Sequence, residues 1–221
     1  MAWPDLIASG VMPRPLAGFV NACVRGRMNI LIGGGPGSGK TTTFGLVSSL
    51  VPPDEQVIAI GPSNVSAHDL VRNALRMRPD RIVVDELRDA AALDLLRAMD
   101  AGHDGMICTV RGLGPRDALD RVEVLARMAD PGVPALSVRE QVGYSIDLVV
   151  HQARFRDGSR RITQVTEVLG LRGDTIALRD IFVYDHQAGA LRPTGLRPRC
   201  LDQIHAHNIR LDPHIFTPIR R

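Results

Sequence analysis

The stretch GGPGSGKTTT, residues 34–43, combines several glycines with the single lysine among the 27 lysine and arginine residues of the chain. Lysine carries a compact ammonium on a flexible stem, whereas arginine carries a broad planar guanidinium. A lone lysine in an arginine-rich chain therefore indicates a place where a point charge must fit inside a tight loop. Gly34, Gly39, Lys40 and Thr41 match G-x-x-x-x-G-K-[ST], a pattern typical of loops that bind phosphate groups.

The residues of this loop are predicted to hold a nucleoside triphosphate. The glycines let the backbone curl so that its N–H groups point inward, and the N-terminus of the following helix adds positive potential. Lys40 would reach the β- and γ-phosphates, and the Thr41 hydroxyl would bind Mg²⁺. The predicted nucleotide-binding residues are Gly34, Gly35, Pro36, Gly37, Ser38, Gly39, Lys40, Thr41 and Thr42. The alternative is a glycine-rich turn with a solvated lysine.

A second candidate group is the acid pair in RIVVDEL, residues 81–87. A hydrophobic strand that ends in acids places Asp85 and Glu86 at the carboxyl edge of the sheet, beside the phosphate loop. Asp85 is predicted to hold the water shell of Mg²⁺, and Glu86 is predicted to orient the attacking water as a catalytic residue. The alternative is a pair of helix-capping acids.

Two further side chains flank the fourth predicted strand. His103, in AGHDG, precedes the strand and is predicted either to sense the γ-phosphate as a catalytic residue or to act in a subunit contact. A lone histidine in a loop is more often a surface or packing residue. Arg111 lies at the end of the same strand, which faces the ligand crevice in such sheets. It is either a cation on the phosphate side or a solvated arginine.

These residues are carried by alternating strands and helices. Apolar runs predict buried strands at 28–33, 56–60, 81–86 and 105–110. Apolar spacing predicts helices at 15–25, 40–50, 67–77, 90–100 and 115–128. This alternation predicts an α/β fold with a mostly parallel sheet flanked by helices.

The pattern changes after Val138 to strand-like runs, with a hairpin turn signal at Asp157-Gly158. We therefore predict a C-terminal antiparallel β meander over 138–198 and a tail with a short helix over 199–221. Residues 1–27 are predicted as a helical lead-in to one domain that begins at residue 28.

Composition narrows the class of protein. The chain has 221 residues, enough for one substantial domain, and 44% hydrophobic residues can form a core. Aromatic residues make up 4% and the net charge is +3, which argues against a base-stacking nucleic-acid surface. The sequence has no apolar run of membrane-spanning length and no secretory signal pattern. The cysteines Cys23, Cys108 and Cys200 are far apart, so we predict no disulfide framework and a reducing cytosol.

Three long blocks give a family resemblance. They are ACVRGRMNILIGGGPGSGKTT (22–42), DLVRNALRMRPDRIVVDELRDAAALDLLRAMDAGHDG (69–105) and REQVGYSIDLVVHQARFRDGSRRITQVTEV (139–168). In this order they resemble the secretion ATPase superfamily, which includes the type II and type IV secretion ATPases and the type IV pilus motors. The nearest resemblance is to the Flp/Tad-type pilus assembly ATPase.

The resemblance implies a RecA-like ATPase domain in a hexameric ring at the cytoplasmic face of the inner membrane. ATP and Mg²⁺ lie between subunits in this family, and hydrolysis drives pilin assembly or export through inner-membrane platform proteins. The phosphate loop matches at residues 34–42, Glu86 matches the catalytic glutamate, and His103 matches the first histidine of the His box. A nucleic-acid partner is not expected.

The chain also departs from the family pattern. The segment GPSN (61–64) stands where the family carries acids, Arg111 replaces the second His-box histidine, and Ala91 stands where glutamate is common. The separate N-terminal domain that covers the nucleotide is also expected to be missing. We therefore predict a motor ATPase that binds Mg·ATP but hydrolyses it slowly. The alternatives are a non-hydrolysing regulatory paralogue and, more weakly supported, a RecA-like nucleic-acid motor.

Overall fold

The computed structural model describes Ile7 and residues 11–218. Parts of the predicted lead-in (1–27) and of the predicted tail (199–221) therefore lie outside the described residues. The central feature is an eight-stranded sheet with the order β2-β3-β4-β1-β5-β6-β7-β8. Its strands are β1 (Ile30–Gly34), β2 (Val57–Ile60), β3 (Arg81–Val84), β4 (Ile107–Arg111), β5 (Leu148–Arg154), β6 (Arg160–Arg172), β7 (Thr175–Asp185) and β8 (Ala190–Pro193).

The half of the sheet from β2 to β5 is parallel, as predicted. Every residue of β1 and β3 is buried, which is the pattern of strands covered by helices on both faces. Strand β4 lies between β1 and β3 and is paired with both. The carboxyl ends of these three strands therefore meet at one edge of the sheet.

Helices cover both faces of this parallel half. They are α1 (Arg14–Arg25), α2 (Lys40–Ser48), α3 (Ala67–Arg76), α4 (Ala91–Asp100), α5 (Pro115–Ala129), α6 (Ala135–Ser145) and α7 (Leu201–Ala206), with a 3-10 turn at Pro213–Phe216. Successive side chains of a strand point to opposite faces. Ile30 and Ile32 accordingly pack with α1 and α2, while Leu31 packs with α3, α4, α5 and α6. Each of the five helices predicted along the core is present, with its ends within two residues of the prediction.

The C-terminal strands form the predicted antiparallel meander, but it starts later than expected. Strand β5 pairs parallel with β1 and antiparallel with β6, so it joins the two halves of the sheet. The predicted turn at Asp157-Gly158 is confirmed, with Gly158 at φ +82 and the Phe155 N–H donating to the Ser159 carbonyl at 2.8 Å.

Residues 138–145 correct the predicted start of the meander, because they belong to helix α6. This helix buries Val138 and Val142, one turn apart, together with Gly143 and Ser145. Two apolar positions give too weak a helical period to be recognised in the sequence. The helix forms because these side chains join the cluster against the sheet.

A buried ion pair ties three elements together at the N-terminal edge of the sheet. The Arg81 side chain on β3 is fully buried and donates from Nε and Nη2 to the Glu55 carboxylate at 2.5 and 3.0 Å. Its Nη1 donates to the Val24 carbonyl near the end of α1 at 2.6 Å. The hydrogen bonds from Arg81 hold the pKa of Glu55 at about 2, below its ordinary value of 4.5.

We expect Glu55→Gln to destabilise the fold and to change its acid sensitivity. The neutral amide leaves the buried Arg81 charge uncompensated, which should lower the free energy of unfolding by about 3 kcal/mol at neutral pH. Because folding depresses the pKa of Glu55, the parent should lose stability as the pH falls from 4.5 toward 2, and the variant should lose less. Urea unfolding across this pH range measures both effects.

Arg27→Ala is the matched control, since Arg27 also contacts Glu55 at 3.0 Å but is partly exposed. It should cost about 0–1 kcal/mol. An equal cost for both variants would contradict the role given to the buried pair.

Candidate active site

The phosphate loop connects the end of β1 to the start of α2, where the sequence predicted it. Gly37 and Gly39 have φ values of +69 and +95, which favour glycine because the residue has no Cβ. Position 34 also requires glycine, because a Cβ on Gly34 would overlap the backbone carbonyl of Gln152. A Cβ on Gly39 would lie 3.0 Å from Arg160 Cδ. The loop therefore keeps its shape only with glycines at these positions.

Lys40 spans the inside of this loop. Its Nζ donates to the carbonyl oxygens of Gly34 at 2.8 Å and Gly35 at 3.0 Å. Burial lowers the pKa of Lys40, the charge of Arg111 lowers it further, and Glu86 and Asp85 oppose the change. The charges of Arg111, Glu86 and Asp85 therefore all act on the Lys40 ammonium.

The residues around Lys40 include an unsatisfied donor. The Ser38 hydroxyl is buried and has no hydrogen-bond partner in the described part of the chain. Thr41 and Thr42 are exposed in the first turn of α2, and Pro36 is exposed in the loop. A buried hydroxyl without a partner is rare in native proteins. Together with the glycine cradle, it fits a loop that completes its hydrogen bonds with an anionic ligand.

The two predicted acids are fixed by one hydroxyl on the neighbouring strand. Thr109 on β4 donates from Oγ1 to Asp85 Oδ1 at 2.9 Å, and the Glu86 N–H donates to the same Thr109 oxygen at 2.7 Å. Glu86 has φ +64, a conformation that costs energy for a residue with a side chain. Thr109 was missed in the sequence analysis, although a buried polar residue within the apolar run ICTV is a recognisable signal.

The Glu86 carboxylate is paired with arginines. Arg111 Nη2 lies 2.9 Å from Glu86 Oε1, and Arg88 Nη2 lies 3.7 Å from Glu86 Oε2. Arg111 is also the register partner of Gly34, the last residue of β1. A cavity of about 340 Å³ opens beside the pair, with Arg121 in its lining. The structure therefore brings Arg111 both to the phosphate loop and to Glu86.

Strand β5 and the start of β6 support the loop from the other side, which the sequence did not predict. Gln152, 2% exposed, accepts a hydrogen bond from Thr43 of α2 at 2.6 Å through its Oε1. Arg160 donates from Nε to the Gly37 carbonyl at 3.0 Å. Gln152 stands out as a polar residue inside the run LVVHQA, but only strand pairing reveals that β5 borders β1.

His103 lies at the opposite edge of the sheet from the phosphate loop. It precedes β4, whose first residue pairs with Ile30 and whose last residue pairs with Gly34. At about 3.3 Å per residue, the length of this strand puts His103 roughly 15 Å from the loop. Its Nδ1 is buried without a hydrogen-bond partner among the described residues. Within one protomer His103 is not brought together with Lys40 and Glu86, and its role stays a prediction.

The segment GPSN lies away from the loop. Residues 61–64 follow β2, the outermost strand of the parallel half, and are exposed. Strands β3 and β4 separate β2 from β1. Ala91 is buried in the first turn of α4.

The predicted metal ligands fit Mg²⁺ better than a protein-enclosed metal. In Ile7 and residues 11–218, no three His, Cys, Asp or Glu side chains come together as a metal site. Mg²⁺ commonly takes one or two protein oxygens and completes its shell with water and substrate phosphates. The buried Asp85 carboxylate and the exposed Thr41 hydroxyl match this donor set.

A membrane-spanning helix is not found in Ile7 and residues 11–218, because no helix there combines the necessary length with the necessary apolar character.

The sequence matches the family model described as Type II/IV secretion system protein over residues 2–159. A putative conjugal transfer protein of Mycobacterium tuberculosis is 33% identical over 184 residues, covering 72% of this chain and 52% of that protein. The conjugal transfer protein TrbB of Rhizobium radiobacter is 33% identical over 190 residues, covering 77% of this chain and 57% of that protein. The chain spans about half the length of these curated relatives.

Among solved structures, the VirB11 ATPase of the Brucella suis type IV secretion system, in complex with sulphate, matches with a TM-score of 0.63 and 27% identity. The match covers 66% of this chain and 50% of VirB11. The ATPase DotB of Legionella pneumophila matches with a TM-score of 0.57 and 17% identity, covering 99% of this chain and 60% of DotB, which supports the fold alone. The predicted RecA-like fold is confirmed, while the nearer resemblance to the Flp/Tad type stays a prediction. The chain belongs to the type II/IV secretion ATPase family.

Proposed function

We propose that this chain binds Mg·ATP in the phosphate loop and is the motor ATPase module of a pilus assembly or protein secretion system. One observation carries the proposal: Lys40 and Glu86 converge on the same sheet edge, joined there by Arg111 from the strand between them. The names of the relatives, which concern conjugal transfer and type IV secretion, support the same conclusion.

Each residue of the site receives a role in binding or hydrolysis. Lys40 exchanges the carbonyls of Gly34 and Gly35 for the β- and γ-phosphate oxygens, and the loop N–H groups cradle the phosphates. Thr41 and Asp85 would hold Mg²⁺, which when bound would supply positive charge to neutralise the phosphates. Glu86 orients the attacking water and accepts its proton.

We propose that this chain hydrolyses ATP more slowly than is usual for its family. The Glu86 carboxylate is occupied by Arg111, and the acids that the family places after the second strand are absent from GPSN. Losing one positioned group commonly costs about 10²–10⁴-fold in rate. The same observations favour the second candidate, a non-hydrolysing nucleotide-binding paralogue with a regulatory role. The rate of phosphate release separates the two candidates. A parent that releases phosphate faster than the Glu86→Gln variant is a slow ATPase, whereas equal rates indicate the non-hydrolysing paralogue.

The proposed setting is that of a ring motor. Thr41 and Thr42 are exposed and Arg111 is 67% exposed, so the site is open to a neighbouring subunit. We propose a hexameric ring, cytoplasmic and peripheral at the inner membrane, that acts on membrane platform proteins and not on nucleic acid. His103, remote from the loop of its own protomer, is retained as a candidate for the subunit contact. The ATPase domain is taken as residues 28–221, with residues 1–27 as the lead-in.

Lys40→Arg is expected to impair nucleotide binding, because the guanidinium fork does not fit between the Gly34 and Gly35 carbonyls as a point charge does. Titration with a fluorescent Mg·ATP analogue measures the loss. Arg72→Lys, at an exposed position of α3 outside the loop, is the control and should bind like the parent. Parent-like binding and turnover in Lys40→Arg would contradict the assignment of the loop.

Glu86→Gln is expected to lower steady-state phosphate release by about 10²-fold or more while keeping Mg·ATP bound, since it removes the base and keeps the shape. Phosphate release and nucleotide affinity are measured on the same preparation. Rapid turnover by the parent that is unchanged in the variant would contradict both the slow site and the role of Glu86.

Nucleotide is expected to promote self-association, because a ligand shared between subunits binds the assembly more tightly than the monomer. Native mass spectrometry with and without saturating Mg·ATP measures the change, and Lys40→Arg is the control that should not respond. A strictly monomeric parent at high concentration with saturating Mg·ATP would contradict the ring.

A further inference from the structure

The ion pair between Glu86 and Arg111 joins a less exposed partner to a more exposed one. Glu86 is 30% exposed at its side chain, and its backbone is held by the hydrogen bond to Thr109. Arg111 is 67% exposed at its side chain, and its guanidinium meets Glu86 through a single short contact of 2.9 Å. Partly exposed ion pairs of this kind are weak. The pair can therefore open without disturbing the sheet.

The position of Arg111 gives its guanidinium a second place to go. Its backbone is paired with Gly34 across neighbouring strands, which lie about 4.8 Å apart. The carbonyl of Gly34 is one of the two oxygens that hold Lys40 Nζ. Arg111 is thus positioned between the carboxylate of Glu86 and the space into which Lys40 points.

We propose that Arg111 exchanges partners when a nucleoside triphosphate binds, leaving Glu86 for the terminal phosphate. This inference rests on the proposed nucleotide site and names the residue that distinguishes triphosphate from diphosphate in it. Guanidinium groups bind phosphate through strong charge-assisted hydrogen bonds, whereas the partly exposed pair with Glu86 is weak. A diphosphate lacks the terminal group, so the pair between Arg111 and Glu86 stays closed and the negative charge of Glu86 stays compensated by Arg111.

The exchange also controls when Glu86 can act. While the pair is closed, the carboxylate accepts a hydrogen bond from Arg111 and is not a free base. Once the pair opens, Thr109 still fixes the Glu86 backbone and Asp85, so the released carboxylate remains at the edge of the site. The same event that recognises the terminal phosphate therefore frees the group that orients water toward it.

Nucleotide affinities of four proteins test the exchange: the parent, Glu86→Gln, Arg111→Ala and the double variant. The ligands are a non-hydrolysable Mg·ATP analogue and Mg·ADP. Glu86→Gln removes the pair that must open, so it should tighten the analogue about twofold to fivefold and leave Mg·ADP unchanged. Adding Arg111→Ala to Glu86→Gln should then weaken the affinity for the analogue about tenfold or more. The affinity for Mg·ADP should stay within about twofold of that of Glu86→Gln.

Measuring the effect of Glu86→Gln with and without Arg111 distinguishes the exchange of partners by Arg111 from simple repulsion between Glu86 and the phosphates. In the Arg111→Ala background, Glu86→Gln should give no tightening, because no pair remains to open. Equal tightening in both backgrounds would indicate repulsion between Glu86 and the phosphates and would overturn the inference. An Arg111→Ala loss of equal size for both nucleotides would overturn it as well.

Arg88→Ala is the matched control, since Arg88 lies 3.7 Å from the other Glu86 oxygen and follows β3 instead of β4. It should leave the preference for triphosphate within about twofold of the parent. A parent that binds neither nucleotide would overturn the proposed function itself. A parent that binds both, with discrimination unaffected by Arg111, would overturn only the exchange.

Discussion

One hydroxyl organises the acidic side of the site. Thr109 lies in the strand between the phosphate-loop strand and the strand that carries the acids, and it donates to Asp85 while accepting from the Glu86 N–H. This bifunctional contact holds Glu86 in a left-handed backbone conformation that a side-chain-bearing residue adopts only when its surroundings enforce it. The Thr109 backbone is held on both sides, because it is paired with Ile32 of β1 and its carbonyl accepts from the Leu87 N–H. The direction of the Glu86 side chain depends on this constraint.

The same strand supplies the charge that controls the carboxylate. Thr109 and Arg111 are two residues apart, so their side chains leave β4 on the same face. The first fixes the backbone of Glu86, and the second neutralises its side chain at 2.9 Å. The position of the Glu86 backbone and the charge beside its carboxylate thus both depend on a single element. We expect the two functions to be separable by mutation, because one depends on a buried contact and the other on an exposed one.

The phosphate loop has a comparable division between fixed and adjustable contacts. Gln152 and Arg160 hold α2 and the Gly37 carbonyl from the β5–β6 side, while the Lys40 ammonium donates to the backbone carbonyls of Gly34 and Gly35. The buried Ser38 hydroxyl has no partner among the described residues, which is costly in the absence of a ligand. A loop of this kind is preorganised in its backbone and incomplete in its side-chain hydrogen bonds.

The sequence alone determined the alternation of strands and helices, the phosphate loop and the two acids, because each depends on local features: apolar period, glycine spacing and strand-end chemistry. Helix α6 was missed because its helical period rests on only two buried apolar positions, Val138 and Val142. Only the tertiary structure decided that β4 lies between β1 and β3, since strand order is set by long-range pairing that no local pattern encodes. That order brought Thr109 and Arg111 to Glu86 and left His103 at the far edge, although His103 and Arg111 flank the same strand. A strand has two ends, and the direction of a parallel sheet places only one of them beside the ligand.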